Sequence, residues 1–94
     1  MRFEFDRVKS AVNKEKHGVS LAEATQLWQE AYLEVKARTV DEVRFMAIGR
    51  IGEKLYACIY TVRGEVIRLI SCRRARAKEV QLHHGYFKES IGKD

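Results

Sequence analysis

Phe3 and Phe5 alternate with Arg2 and Glu4, which predicts a short opening strand. The period then lengthens. Asp6 offers a side-chain oxygen to the first free amides of a helix. Val8, Ala11 and Val12 give that helix an apolar stripe, with Glu15 on the same side one turn later. His17 falls in the last turn, where a partly positive ring suits the helix dipole, and Gly18 is the expected left-handed C-cap. Ser20-Leu21-Ala22-Glu23 is a capping box that opens a second helix. Ala24, Leu27, Trp28 and Ala31 recur on one side of it, so Trp28 reads as a core anchor rather than a base-stacking platform.

From Tyr32 the period becomes two. Tyr32, Glu34, Lys36 and Arg38 share one face of a strand, with Leu33, Val35 and Ala37 on the other. Val43–Ile51 and Leu55–Val62 are stronger strands, joined around Gly52-Glu53. Val62-Arg63-Gly64-Glu65 is a tight hairpin turn leading into Val66–Cys72. A final helix is expected from about Arg73 to His84. Its wheel puts Ala77, Val80, His84 and Phe87 on one side, Leu82 and Tyr86 on the other, and Gly85 at its end. The order β-α-α-β-β-β-β-α predicts an α+β fold, with helices packed on one antiparallel sheet. Residues 1–94 are expected to form a single domain, since 94 residues leave no room for a second core.

An apolar content of 46% argues against disorder. The longest nearly unbroken apolar run, Leu55–Val62, is far short of the roughly 20 residues a membrane span needs. The opening Met1–Asp6 lacks the apolar stretch of a signal peptide, so a cytoplasmic location is expected. Cys58 and Cys72 are too few for a disulfide scaffold and are expected as buried, reduced thiols. Charge changes the picture more. The net charge is +5, yet residues 1–47 carry eight basic and eight acidic side chains, whereas 48–94 carry ten and five. The second half therefore attracts phosphate or an acidic protein; a uniformly basic, solvated surface is the bland alternative.

The densest chemistry lies in Arg68–Glu79. Arg68 points away from Ile67 and Leu69 and so belongs to the exposed face of its strand. Ser71 falls on the other face if the strand is regular, or caps the following helix. Arg73, Arg74 and Arg76 are then expected in the first helical turns, where each cation opposes the dipole at about 0.3–1 kcal/mol. Such a local conflict suits a site, because guanidinium forks meet two phosphate oxygens at once. A helix face of ordinary surface arginines is an equal reading. Neighbouring helical residues diverge by about 100°, so His83 and His84 cannot chelate one ion together. No cluster has metal spacing, and neither metal nor cofactor is expected. Metal-free RNA cleavage needs a base for the 2′-OH, an acid for the leaving oxygen and positive charge around the phosphate. His17, Glu79, His83 and His84 are the proton-carrying candidates, and Arg68 and Arg73 the charges. Capping or surface roles compete for each histidine, and an intrahelical pair with Arg76 competes for Glu79.

Phe5-Asp6 with Lys9 and Asn13, the Lys16-His17-Gly18 turn and the capped helix from Ser20 resemble the start of the BrnT toxin family. The similarity resumes at Glu42-x-Arg44 and Ile48-Gly49 and is strongest in Arg68-x-Ile70-Ser71-x-Arg73-x-Ala75-x-x-x-Glu79. It covers most of residues 3 to 84 in the same order and spacing. The resemblance implies a RelE-like fold and a type II toxin, a small ribonuclease that cleaves RNA and blocks translation and growth. It also implies a BrnA-type antitoxin with a ribbon-helix-helix DNA-binding end, which neutralises the toxin and with it represses their operon. It points to Arg44, Arg68 and Arg73, with Lys16, His17 and Glu79, without assigning the protons. Arg74, Arg76 and Lys78 of the basic block complete the expected RNA-binding set. Phe5 stands where the family often has Trp, and His83 where it usually has Tyr. Either His83 carries a proton in place of that Tyr or activity is reduced.

Two other readings compete: a non-catalytic nucleic-acid-binding or co-repressor subunit acting with a DNA-binding antitoxin, and a structural subunit whose basic face docks an acidic partner. The nuclease reading requires the guanidinium groups near the last strand–helix junction to be gathered, neither scattered nor each locked in an internal carboxylate bridge.

Overall fold

A computed structural model describes residues 2–37 and 42–91. Strand β1 (Arg2–Glu4) leads through the N-cap Asp6, whose Oδ1 accepts from Lys9 N at 3.0 Å, into α1 (Arg7–His17). Gly18 closes α1 at φ 78°, a conformation that favours glycine. Ser20 and Glu23 form the reciprocal capping box of α2 (Leu21–Ala24), which tightens at once into a 3-10 turn (Thr25–Gln29). Strands β2 (Leu33–Ala37), β3 (Arg44–Ile51), β4 (Lys54–Arg63) and β5 (Val66–Arg74) follow, and α3 (Ala77–Ile91) ends the described chain. The fold is α+β in the expected order, and its layout is consistent with the RelE-like arrangement. Arg38, expected on the Tyr32 face of β2, lies outside the described residues.

The sheet order is β1-β5-β4-β3-β2. Strands β2 to β5 form the expected antiparallel meander, but β1 joins β5 in parallel, Arg2 facing Val66 and Glu4 facing Arg68, so the sheet as a whole is mixed. The reason is the route: α1, α2 and three more strands separate β1 from its neighbour, and only a hairpin forces antiparallel pairing.

One face carries the main core. Ala47, Cys58, Tyr60, Ile67, Leu69 and Cys72 from the strands meet Val19, Leu21, Ala24 and Leu27 from the helical layer. Trp28 packs there as expected, its ring 5.4 Å from Phe3 and 5.2 Å from Tyr60. Cys58 and Cys72 are buried free thiols opposite one another on β4 and β5. Their contact and the loss of water push the Cys58 thiol well above its usual range. Helix α3 covers part of the other face: Leu33 faces Ile48 across β2 and β3, Ile48 is fully buried, and Leu33 and Val35 share a cavity wall with Leu82 and Tyr86.

The helices depart from their wheels. Val8 is 73% and Val12 41% exposed, while the residues α1 buries are Ser10 and Asn13. The cause is an unfilled sheet edge. Strand β1 stops beside Arg68, and beyond it the Asn13 side chain takes the place of a strand: its Nδ2 donates to Cys72 O at 2.7 Å and its Oδ1 accepts from Cys72 N at 3.1 Å. Nδ2 also donates to Val19 O at 2.7 Å, and Ser10 Oγ accepts from Leu21 N at 2.9 Å. Buried backbone groups must be satisfied, so the polar side of α1 faces inward. Ala31, beyond the 3-10 turn, is exposed. Helix α3 begins four residues later than expected and runs through Gly85, burying Val80, His83 and Phe87 in part or in full, while Ala77 and His84 face solvent.

Candidate nucleic-acid interface

Strand β5 runs on through Arg74, so Arg73 and Arg74 are strand residues and the expected conflict with a helix dipole is absent at both. The strand is also irregular. Leu69 faces Tyr60 and Ser71 faces Ile59, which leaves Ile70 without a partner in a bulge. An inserted residue shifts the alternation by one. Ser71 and Arg73 therefore stand on the face of Arg68, opposite the buried Cys72, and the expectation of Ser71 on the other face is corrected.

That face gathers charge in rows across the sheet. Phe45 faces Tyr60, which puts Arg44 level with Thr61; Thr61 faces Arg68, and Arg68 faces Glu4. Thr61 is buried in this row and donates through Oγ1 to Val43 O at 2.8 Å. The next row is Val35, Met46, Ile59 and Ser71. The row after it ends at Arg73, opposite Ala57. Arg68 and Arg73 are thus roughly 13 Å apart at strand spacing, with Ser71 between them.

Each of the three arginines touches a carboxylate. Arg68 Nη1 lies 3.2 Å and Arg63 Nη1 4.0 Å from Glu4 Oε1, and Arg44 Nη2 lies 3.3 Å from Glu42 Oε1. The Arg68 and Arg44 side chains are 34% and 41% exposed. Exposed pairs of this kind are worth about 0–1 kcal/mol. Arg73 is held more firmly: Nη1 and Nη2 each donate to a Glu79 oxygen at 2.8 Å in a fork-to-fork pair. Glu79 is the third residue of α3 and also accepts from Arg76 N at 2.8 Å, so it caps the helix while gripping the strand. It does this in place of the expected side-chain pair with Arg76. The Arg73 guanidinium beside it holds the Glu79 carboxyl below its ordinary range, and Glu79 in turn raises Arg73. Arg73 keeps its Nε–H and one Nη2–H without a protein partner among the described residues.

The remaining expected site residues scatter. Arg74 points to the opposite face, its guanidinium 5.7 Å from the centre of the Tyr56 ring. Arg76 and Lys78 are exposed at the start of α3. Lys16 and His17 are exposed at the end of α1, one turn beyond Asn13, and carry no hydrogen bond or ion pair among the described residues. His83 is buried at 8% exposure beneath α3, its ring 4.6 Å from Phe87, with neither ring nitrogen hydrogen-bonded among the described residues. Burial first, then His84 and Arg50, lowers its pKa and keeps the ring neutral. It lines cavities with Arg50 and Phe87.

Sequence reasoning missed Ser71 as a member of this face. A signal was present: polar side chains sit at even position 68, then at odd positions 71 and 73, a change of phase that a bulge explains. Asn13 was also missed as the clamp on β5, because a polar residue beside the Val8–Ala11–Val12 stripe reads as solvent-facing.

No helix among the described residues is long and apolar enough to cross a membrane. No curated protein is similar enough to the chain to count as a match. A family described as the ribonuclease toxin BrnT of type II toxin–antitoxin systems matches residues 5–79, a span that contains α1, the whole sheet beyond β1 and the Arg73–Glu79 pair. With that match over most of its length, this α+β chain belongs to the BrnT family of type II toxin–antitoxin ribonuclease toxins.

Proposed function

We propose that the chain is a single-domain, metal-independent endoribonuclease toxin that binds and cleaves RNA on the arginine face of its sheet, beside α3, and thereby halts translation and growth in the cytoplasm. The observation that carries this reading is the bulge at Ile70, which brings Arg68, Ser71 and Arg73 to one face with Arg44. RNA is a polyanion of regularly spaced phosphates, and guanidinium groups gathered on one face suit such a backbone. Arg44 and Arg68 exchange their exposed carboxylate partners for phosphates. Arg73, oriented by Glu79, presents its free donors to the charge that builds on the scissile phosphate. Glu79 acts as the positioning group. Of the histidines among the proton carriers, His17, with Lys16 beside it, and His84 are exposed; His83, closed off beneath α3, serves packing. A BrnA-type ribbon-helix-helix antitoxin is the expected partner.

The test is direct. Single-stranded RNA incubated with the purified chain at low salt in the presence of EDTA should show new 5′ ends. Full-length RNA after prolonged incubation overturns the reading.

A second reading has one observation in its favour: both Glu79 oxygens are engaged and its carboxyl is held low, so Glu79 is not free to act as a base. A non-catalytic nucleic-acid-binding or co-repressor subunit would bind RNA or operator DNA and yield no products in the same assay.

A further inference from the structure

Helix α3 leaves an opening on the arginine side of the sheet. A cavity of about 400 Å³ lies between Leu33 and Val35 of β2 and Gln81, Leu82, Gly85 and Tyr86 of α3. Its walls are unlike an ordinary helix–sheet seam. Leu82 is 50% and Tyr86 54% exposed, although both stand beside apolar β2 side chains. Gly85 sits in the helix interior, where glycine is a poor helix former, and a Cβ built there meets no heavy atom within 4 Å. Packing does not explain that glycine. It widens the cavity between Tyr86 and Gln81.

The cavity joins the charged face through register. Val35 faces Met46, Met46 faces Ile59 and Ile59 faces Ser71, so one row runs from the cavity floor to the residue between Arg68 and Arg73. Three strand spacings make this roughly 14 Å. A strand of RNA whose phosphates lie on the arginines therefore carries bases toward Tyr86.

We propose that this cavity is a nucleobase subsite, in which one base of a single-stranded RNA stacks on Tyr86 and Leu82 over the space left by Gly85, and Gln81 reads its edge. The chemistry fits a base better than a peptide. An aromatic ring and an aliphatic floor supply stacking, the single amide supplies one donor and one acceptor, and the adjoining rows are cationic. The inference rests on RNA binding at the arginine face and extends it from grip to base selection.

The experiment measures binding of fluorescently labelled A, C and U hexaribonucleotides to the full chain, alongside cleavage of an RNA of random sequence. The wild type should separate the tightest from the weakest hexamer by about tenfold or more, the discrimination that an amide paired with one base edge supplies. Gln81→Ala and Gly85→Ala should collapse that ratio to within about twofold, and Tyr86→Leu should weaken the preferred hexamer by about tenfold. Arg68→Ala should weaken all three alike. Gly85→Ala guards against misfolding, because alanine is the better helix former and the added methyl meets no protein atom. RNA bound with base preference but left uncut overturns the endoribonuclease reading and supports the subsite. RNA cut while Gln81→Ala and Gly85→Ala keep the wild-type ratio overturns the subsite and leaves the nuclease standing. Equal affinity of the wild type for all three hexamers also overturns it.

Discussion

Arg68 and Arg73 stand on the same face of β5 although five positions separate them, because Ile70 is unpaired and shifts the alternation between them. In a regular strand one of the two guanidinium groups would point into the helical layer. The bulge turns two isolated cations into a pair flanking Ser71.

Arg68→Ala and Arg73→Ala should each relieve growth arrest when the toxin is expressed alone. Loss of a charged donor to the developing phosphate charge costs about 2.7–4 kcal/mol, or roughly 10²–10³ in cleavage rate. Arg73→Lys should recover little, since a point charge cannot replace the fork that Glu79 holds. Cleavage assays on variants with wild-type circular dichroism decide this, and undiminished toxicity would remove the arginines from the mechanism.

RNA affinity should fall with salt. On a logarithmic plot each single-strand phosphate contact contributes a slope of about −0.7. Arg44→Ala should flatten the slope by about that amount and weaken all sequences alike, because Arg44 contacts the backbone in this reading. Titrations between low and moderate salt measure it.

Asn13→Ala should destabilise the fold by about 3 kcal/mol. It leaves Cys72 N–H, Cys72 C=O and Val19 C=O without partners in a buried place. Urea unfolding reads the loss, and a midpoint within error of wild type would refute the clamp.

His83 makes the fold sensitive to acid. Its pKa is lowered from 6.5 by burial, so the unfolded chain takes up the proton first as the pH falls. Its contribution is complete above pH 6.5 and is lost as the pH falls below that value. His83→Phe should therefore lose less stability than the wild type between pH 7 and pH 5. Thermal melts at the two pH values test this, and equal losses would contradict it.

Gly49→Ala should cost about 1–3 kcal/mol by overpacking. A Cβ there would stand 3.0 Å from Leu27 Cγ and Cδ2 and from Tyr32 Cβ, where the 3-10 turn presses on β3. A chemical melt at the wild-type midpoint would show that Leu27 moves freely, contrary to the close packing.

Much of this was legible in the residue order. Asp6, Gly18 and the Ser20–Glu23 box mark helix ends through hydrogen bonds that span only a few residues, and each forms as expected. Gly52 and Gly64, both at positive φ, turn the meander where the polar breaks fall. The same local logic failed for α1. Val8, Ala11 and Val12 make a convincing apolar stripe, but the edge of β5 needed a donor and an acceptor, and Asn13 was the residue that could supply both. A need for partners on a distant strand leaves no periodic trace in the helix that meets it.

The residue types alone determined the strand and helix order, the caps, and the family to which Arg68-x-Ile70-Ser71-x-Arg73 belongs, since these depend on neighbours along the chain. Tertiary structure decided the parallel seat of β1, the burial of His83 and the gathering of Arg44, Arg68 and Arg73 on one face with Glu79. Those outcomes depend on which backbone groups are still unpaired once the strands have met, and that is a property of the assembled sheet.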